Sequence, residues 1–198
     1  MSFRKEEKFP CTVYDQRLVF RNLTDQGMLP LYNEREISSI YYDNKLLGCY
    51  NDSQEGSLPR KKIRIRHYPE SEKIKFNEET KISSVEGRFK ISNPLNEDQN
   101  KSLLDHGIKD RQYGVCYPVL KVSYKRSYYQ LDKVRVTFDK DIVYENFLTK
   151  FSLKDSQTVI EIKAEDRFSK QYLEDLISIP RRRFSKYSRG FEKVVLRV

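Results

Sequence analysis

Cysteine is scarce: Cys11, Cys49 and Cys116 are the only three, and no two of them form a C-x-x-C pair. That spacing excludes both a zinc-ligand pattern and a disulfide framework, so the three are expected as reduced core thiols. Long apolar runs are also missing, since nothing approaches the roughly 18 residues of a membrane-spanning helix. The opening MSFRKEEKF lacks the apolar segment of a secretory signal, and a cytoplasmic location is the expectation. No P-loop and no Gly-rich dinucleotide motif is present, which removes the two common Gly-rich phosphate cradles. With no internal repeat and no low-complexity linker, residues 1–198 are expected to form a single domain.

Charge and packing material are what the chain does have. Its 38 Lys and Arg outnumber 29 Asp and Glu, giving +9, so its diffuse field attracts polyanions without saying which. Hydrophobic residues make up 37% and aromatics 13%, too much for a disordered polycation.

Period-two alternation recurs over residues 37–42, 61–68, 74–82, 88–91, 119–129, 134–139 and 159–164, separated by Pro, Gly, Asn, Asp and Ser, and predicts the strands of one sheet. Helices are expected from a Thr12 cap to Asp25 with Gly27 at its end, from Asn93-Pro94 to Gly107, and from a Ser169 cap to a stop at Pro180. A short last helix is expected after Ser185.

Successive strand residues point to opposite faces, so Arg60, Lys62, Arg64 and Arg66 share one side, and Lys61, Ile63, Ile65 and His67 the other. One such strand is most simply a solvated outer face. The habit repeats, however, in Glu79 with Lys81, Arg88 with Lys90, Arg135 with Thr137 and Asp139, and Glu161 with Lys163. The alternate positions carry Ile82, Phe89, Val134, Val136, Phe138, Ile160 and Ile162. Helices covering those apolar faces would turn the charged faces inward. The expected fold is therefore α+β, a closed antiparallel β-barrel, or tunnel, of about eight strands with helices packed outside. A bound polyanion would relieve the repulsion between like charges on neighbouring strands, about 1 kcal/mol or less per close pair.

Carboxylates among phosphate-binding cations need a reason of their own. Mg²⁺ or Mn²⁺ commonly sits between one or two carboxylates and substrate phosphates, which makes Glu161 the first candidate ligand, with Glu6 and Glu79 beside it. The alternative for each is a simple ion pair with a neighbouring Lys. Near the end, Arg181-Arg182-Arg183-Phe184-Ser185-Lys186-Tyr187 is strongly basic, and Ser185 is placed to cap the last helix and present N–H groups to phosphate. A nuclear-localisation or nucleic-acid patch is the rival reading of that run.

Eight motifs follow one another along the chain: Glu6-Glu7-Lys8-Phe9, Ser39-Ile40-Tyr41-Tyr42-Asp43, Arg60 to Tyr68, Glu79-Thr80-Lys81, Tyr124-Lys125-Arg126, Arg135-Val136-Thr137-Phe138-Asp139, Val159-Ile160-Glu161-Ile162-Lys163 and Phe184-Ser185-Lys186-Tyr187. On these, over nearly its whole length, the sequence resembles the polyphosphate polymerase domain of the vacuolar transporter chaperone (VTC) proteins, in the CYTH-like triphosphate tunnel metalloenzyme superfamily. The resemblance implies phosphate-binding roles for Lys8, Arg64, Arg66, Lys81, Lys90, Arg126 and Arg135, and a metal-binding role for Glu161. Arg64, Arg66, Lys81, Arg126, Arg135 and Glu161 would act at the reacting phosphoryl group. Lys62 and Lys163 join the phosphate-binding set by their strand positions. Arg183, Ser185 and Lys186 match the family's terminal phosphate-contacting segment, although Lys is expected where Arg183 stands, a swap that keeps charge and changes donor geometry.

The implied reaction transfers the γ-phosphoryl group of ATP onto inorganic polyphosphate with Mn²⁺ or Mg²⁺, releasing ADP. ATP and polyphosphate are the implied partners, with a membrane-protein or accessory subunit to draw product away; nucleic acid is not expected. Eukaryotic members join this domain to a phosphate-sensing helical domain and a membrane portion, neither of which this chain contains, so a standalone relative or an excised domain is expected. Hydrolytic members of the superfamily typically begin E-x-E-x-K, whereas position 4 here is Arg, leaving Glu6-x-Lys8. Metal-dependent triphosphate or tripolyphosphate hydrolysis is the alternative activity, and a non-catalytic polyphosphate or inositol-phosphate binding module is the alternative without chemistry.

Overall fold

The computed structural model describes residues 4–197, Arg4 by its backbone, so the extreme ends of the expected 1–198 domain lie outside the described residues. In chain order the elements are β1 (Arg4–Cys11), α1 (Val13–Asp25), β2 (Leu29–Asp43), α2 (Gly48–Glu55), β3 (Arg60–His67), β4 (Phe76–Ser84), β5 (Gly87–Leu95), α3 (Glu97–His106), β6 (Ile108–Asp110), β7 (Gly114–Leu131), β8 (Val134–Asn146), β9 (Ser152–Lys154), β10 (Thr158–Glu165), α4 (Lys170–Ile177) and α5 (Lys186–Gly190). The last helix runs on into a π-helical turn, Phe191–Val195.

Strands hydrogen-bond in the order β1-β10-β8-β7-β2-β3-β4-β5, with β6 on β7 and β9 on β8. The registers of β1 with β10, β10 with β8, β2 with β3, β3 with β4 and β4 with β5 are all antiparallel, so the class is α+β with an antiparallel sheet. Two compact units divide the described chain. The first gathers residues 4–36, Tyr124–Ile142 and Lys154–Phe184; the second gathers Ile37–Ser123, Val143–Leu153 and residues 185–197.

In the first unit β10 lies between β1 and β8, which puts Glu161 opposite Lys8 and Thr137, and Lys163 opposite Glu6 and Arg135. The alternate residues Phe9, Ile160 and Phe138, and Ile162 and Val136, turn the other way. They bury against Val19 and Leu23 of α1 and Leu173 and Ile177 of α4. Each fully buried Ile or Phe contributes roughly 1.5–3 kcal/mol, which fixes the strands' orientation and commits the charged residues to the opposite face. Thr12 caps α1 in a reciprocal box with Asp15, and Ser169 caps α4, both as the sequence predicts.

The second unit repeats the arrangement across β2, β3, β4 and β5. Tyr41 pairs with Arg64 and Arg64 with Glu79, while Lys62 pairs with Lys81 and Lys81 with Lys90. Ile63 and Ile65 go to the other face, buried with Tyr42, Cys49, Ile108, Tyr113 and Cys116. That cover thins along the edge strand: Leu95 of β5 packs against this cluster beside Leu103 and Leu104 of α3, but Phe89 and Ile91 are 44% and 51% exposed, so the expected helical layer does not reach those two.

One other expectation changes. The second predicted helix starts at Glu97, not at Asn93-Pro94, because Asn96 caps it in a box with Gln99 while Asn93 and Pro94 continue β5, an edge strand that tolerates proline. Lys61 faces away from the charged row, as the alternation predicts, and its ammonium pairs with Asp110 at 2.8 Å with the side chain 17% exposed. Strand β1 and helix α2 carry no periodic signal in the sequence and are additions from the structure.

Candidate functional site

The second unit centres on Arg64, which is 7% exposed. Its Nε and Nη2 donate to Glu79 Oε2, the former at 2.8 Å, and its Nη1 donates to the Tyr41 hydroxyl at 3.0 Å. Lys90 Nζ takes the other Glu79 oxygen at 2.6 Å. Glu79 therefore serves both of its oxygens to cations. Burial pushes its carboxyl up, but Arg64, Arg66 and Lys90 outweigh that and hold it down at about 2. Burial likewise opposes ionisation of Tyr41, and Arg64, Arg66 and Lys81 bring its phenol down to about 7. Arg66, half-buried, donates from Nε to Ser39 Oγ at 3.1 Å. Lys81, exposed, stands in register between Lys62 and Lys90, three ammonium-bearing residues side by side on adjacent strands.

In the first unit the hub is Arg126. Its Nε and Nη2 form a fork onto both oxygens of fully buried Asp139 at 2.6 and 2.7 Å, and Nη2 reaches Glu161 Oε2 at 3.1 Å. Such bidentate, charge-assisted contacts fix the plane of the guanidinium. Burial opposes the charge on Arg126, but Tyr124, Asp139 and Glu161 outweigh it and hold it well above its ordinary range. Lys163 Nζ bridges Glu161 Oε1 at 3.0 Å and Glu6 Oε2 at 3.3 Å, and Lys8 Nζ lies 3.1 Å from Glu6 Oε1. Arg135 stands opposite Lys163 on β8.

The terminal basic run is not one patch. Arg181 is tied to Glu7 at 3.0 Å and to Glu174 at 3.1 Å. Arg183 is exposed in the first unit, while Ser185 and Lys186 belong to the second. Ser185 caps α5 by accepting the Ser188 N–H at 3.3 Å and receives the Lys62 ammonium at 3.0 Å.

No group of three or more His, Cys, Asp or Glu side chains is arranged to hold a metal among the described residues. Glu6 and Glu161 are bridged by the Lys163 ammonium, so a divalent cation held by these two carboxylates would have to displace it and complete its shell with phosphate oxygens and water. Glu79 sits in the second unit and Glu6 and Glu161 in the first, so the three proposed metal ligands do not fall within one unit. Asp139 and Tyr41 join the site without being among its sequence-predicted members. Both lie inside the motifs that carry the family resemblance, and their position on the charged face of a strand is the signal that points to them.

Residues 3–195 match the VTC domain. The chain belongs to the VTC domain family. No curated protein matches the chain. Among solved structures, a candidate adenylate cyclase from Bacillus halodurans is similar with a TM-score of 0.63 and 11% identity, covering 93% of this chain and 94% of that one. A Pyrococcus horikoshii protein follows at 0.59 and 19%, covering 96% and 99%. A candidate adenylate cyclase from Vibrio parahaemolyticus gives 0.58 and 13%, covering 96% and 98%. At these identities the likeness is one of fold.

Proposed function

We propose that this VTC domain is a polyphosphate polymerase that transfers the γ-phosphoryl group of ATP onto inorganic polyphosphate. The observation that carries the reading is the register of Lys62, Lys81 and Lys90, three cations directly opposite one another on strands roughly 5 Å apart. Like charges so placed destabilise a sheet, and a chain of phosphates laid across them removes the penalty.

Arg64 and Arg126, each locked by a carboxylate, are oriented before substrate arrives, which is the positioning that phosphoryl transfer needs. Lys8, Arg66, Arg135 and Lys163 add charge around the phosphate oxygens, and Lys186 and Arg183 belong to the same set through the family's terminal motif. Glu161, with Glu6, would hold Mn²⁺ or Mg²⁺, which when bound neutralises charge on the transferring group. A terminal oxygen of the polyphosphate acceptor, anionic near neutral pH, attacks the γ-phosphorus; the bond to the β-phosphate oxygen breaks, and ADP departs with that electron pair. No side-chain nucleophile is required. Closure of the sheet into a tunnel around the polymer, and a membrane-protein or accessory subunit that draws product away, are parts of this proposal that rest on the family.

The test is incubation with ATP and Mn²⁺ or Mg²⁺. Ladders of polymer together with ADP support polymerisation. Orthophosphate without polymer replaces it with triphosphate hydrolysis, and absence of both, with a melting temperature still raised by tripolyphosphate, replaces it with a binding module.

A further inference from the structure

Asp43, at the end of β2, is 1% exposed and has no role in the reading above. Its Oδ1 accepts the N–H groups of Asn44 at 2.8 Å and Cys49 at 2.9 Å; its Oδ2 accepts the Tyr50 N–H at 2.9 Å and the Tyr187 hydroxyl at 3.2 Å. Two of these donors open α2, whose own cap position is Leu47, a residue with no side-chain oxygen to offer. Asp43 therefore does from outside the helix what a Ser or Asp cap would do within it. The same carboxylate also holds α5 through Tyr187.

Tyr187 connects that anchor to the cation row. Its ring is 2% exposed, packed 5.0 Å from the Tyr41 ring and 4.7 Å from that of Phe191, and the Lys62 ammonium lies 5.0 Å from its centroid. Two residues earlier, Ser185 Oγ receives the same ammonium. Lys62 is thus located by one aromatic face and one hydroxyl, both carried by the segment that Tyr187 fastens to Asp43.

We propose that Tyr187 is a positioning residue for phosphate binding: its hydroxyl bond to Asp43 sets the rotation of α5, and that rotation places Ser185 and the ring against Lys62. The inference rests on the reading of Lys62 as part of the phosphate row. Asp43→Ala would also uncap α2, so Tyr187→Phe, which keeps the ring and removes one hydroxyl, is the deciding variant. Tripolyphosphate binding is measured by calorimetry for the wild type, Tyr187→Phe, Lys62→Met and the double variant, with near-ultraviolet circular dichroism as the check on native packing. Tyr187→Phe is expected to weaken binding about three- to tenfold, the loss typical of one hydrogen bond. In the Lys62→Met background the same change is expected to cost nothing further, an outcome that a general loosening of the fold would not give. Multiplying losses, or wild-type affinity in Tyr187→Phe, overturns the positioning role while leaving the phosphate reading intact. A wild-type protein that binds no tripolyphosphate overturns both.

Discussion

The Arg126 cluster of the first unit and the Arg64 cluster of the second use one device in two balances of charge. In each, an arginine whose side chain is no more than 11% exposed is locked by a carboxylate on a neighbouring strand and has a tyrosine against it, Tyr124 for Arg126 and Tyr41 for Arg64. Around Arg126 the carboxylates Glu6, Asp139 and Glu161 come close to balancing the cations Lys8, Arg126, Arg135 and Lys163. Around Arg64, Glu79 pairs with Arg64 and Lys90 while Lys62, Arg66 and Lys81 stand on the same face, and the excess is positive. On the proposed function, the difference would give the two clusters different work. A near-neutral mixture suits a divalent cation and a reacting phosphoryl group, and a positive excess suits holding a polyanion.

The largest expected effect separates those roles. Glu161→Gln should lower ATP turnover by at least about 100-fold, the scale seen when a charge-stabilising group is lost from an active site. Binding of tripolyphosphate should stay unchanged or tighten, because a negative charge is removed; unchanged turnover, measured as ADP release, would take Glu161 out of the chemistry.

Glu79→Gln should act on the fold instead. Removing one partner of a buried, hydrogen-bonded ion pair costs about 3–5 kcal/mol, readable as a lower urea midpoint. Glu79 sits at about 2 against an ordinary 4.5, so its contribution is complete above pH 4.5 and fades as pH falls toward 2. The stability difference between wild type and Glu79→Gln should shrink over that window; a gap that is constant with pH would contradict the assigned ion pair.

Tyr41 offers a spectroscopic measure of the positive excess. With its phenol at about 7, one tyrosine should ionise between roughly pH 6 and 8 in the ultraviolet phenolate band. Tyr41→Phe should abolish that step, and saturating tripolyphosphate should move it to higher pH as the neighbouring cations are neutralised.

The smallest effect tests the register. Lys61→Ala should cost about 1 kcal/mol of stability through its pair with Asp110, while leaving tripolyphosphate affinity unaltered; Arg64→Ala should weaken that affinity strongly. Equal losses of affinity would mean that Lys61 and Arg64 share a face, contrary to the register of β3 with β4.

Much of this was readable from residue order. Ile63 and Ile65 alternate with Arg64 and Arg66, and in the structure the two sets take opposite faces. Thr12, Ser169 and Ser185 announced their helices because a capping hydroxyl acts over three residues. Strand β1 was not readable, since RKEEKFPC shows no alternation that stands out from its charges and forms only because β10 supplies a register. Helix α2 was not readable either. Its cap is Asp43, six residues ahead of Cys49, and a helix capped from a preceding strand leaves no local signal.

By itself the sequence determined which side chains share a face, because strand geometry sends neighbours to opposite sides whatever the chain's path. It also determined family membership, through motifs whose order survives without coordinates. Which carboxylate meets which cation was decided only by tertiary structure. Asp139 with Arg126 and Glu79 with Arg64 are pairings across strands, set by register and by burial that makes an unmatched charge costly.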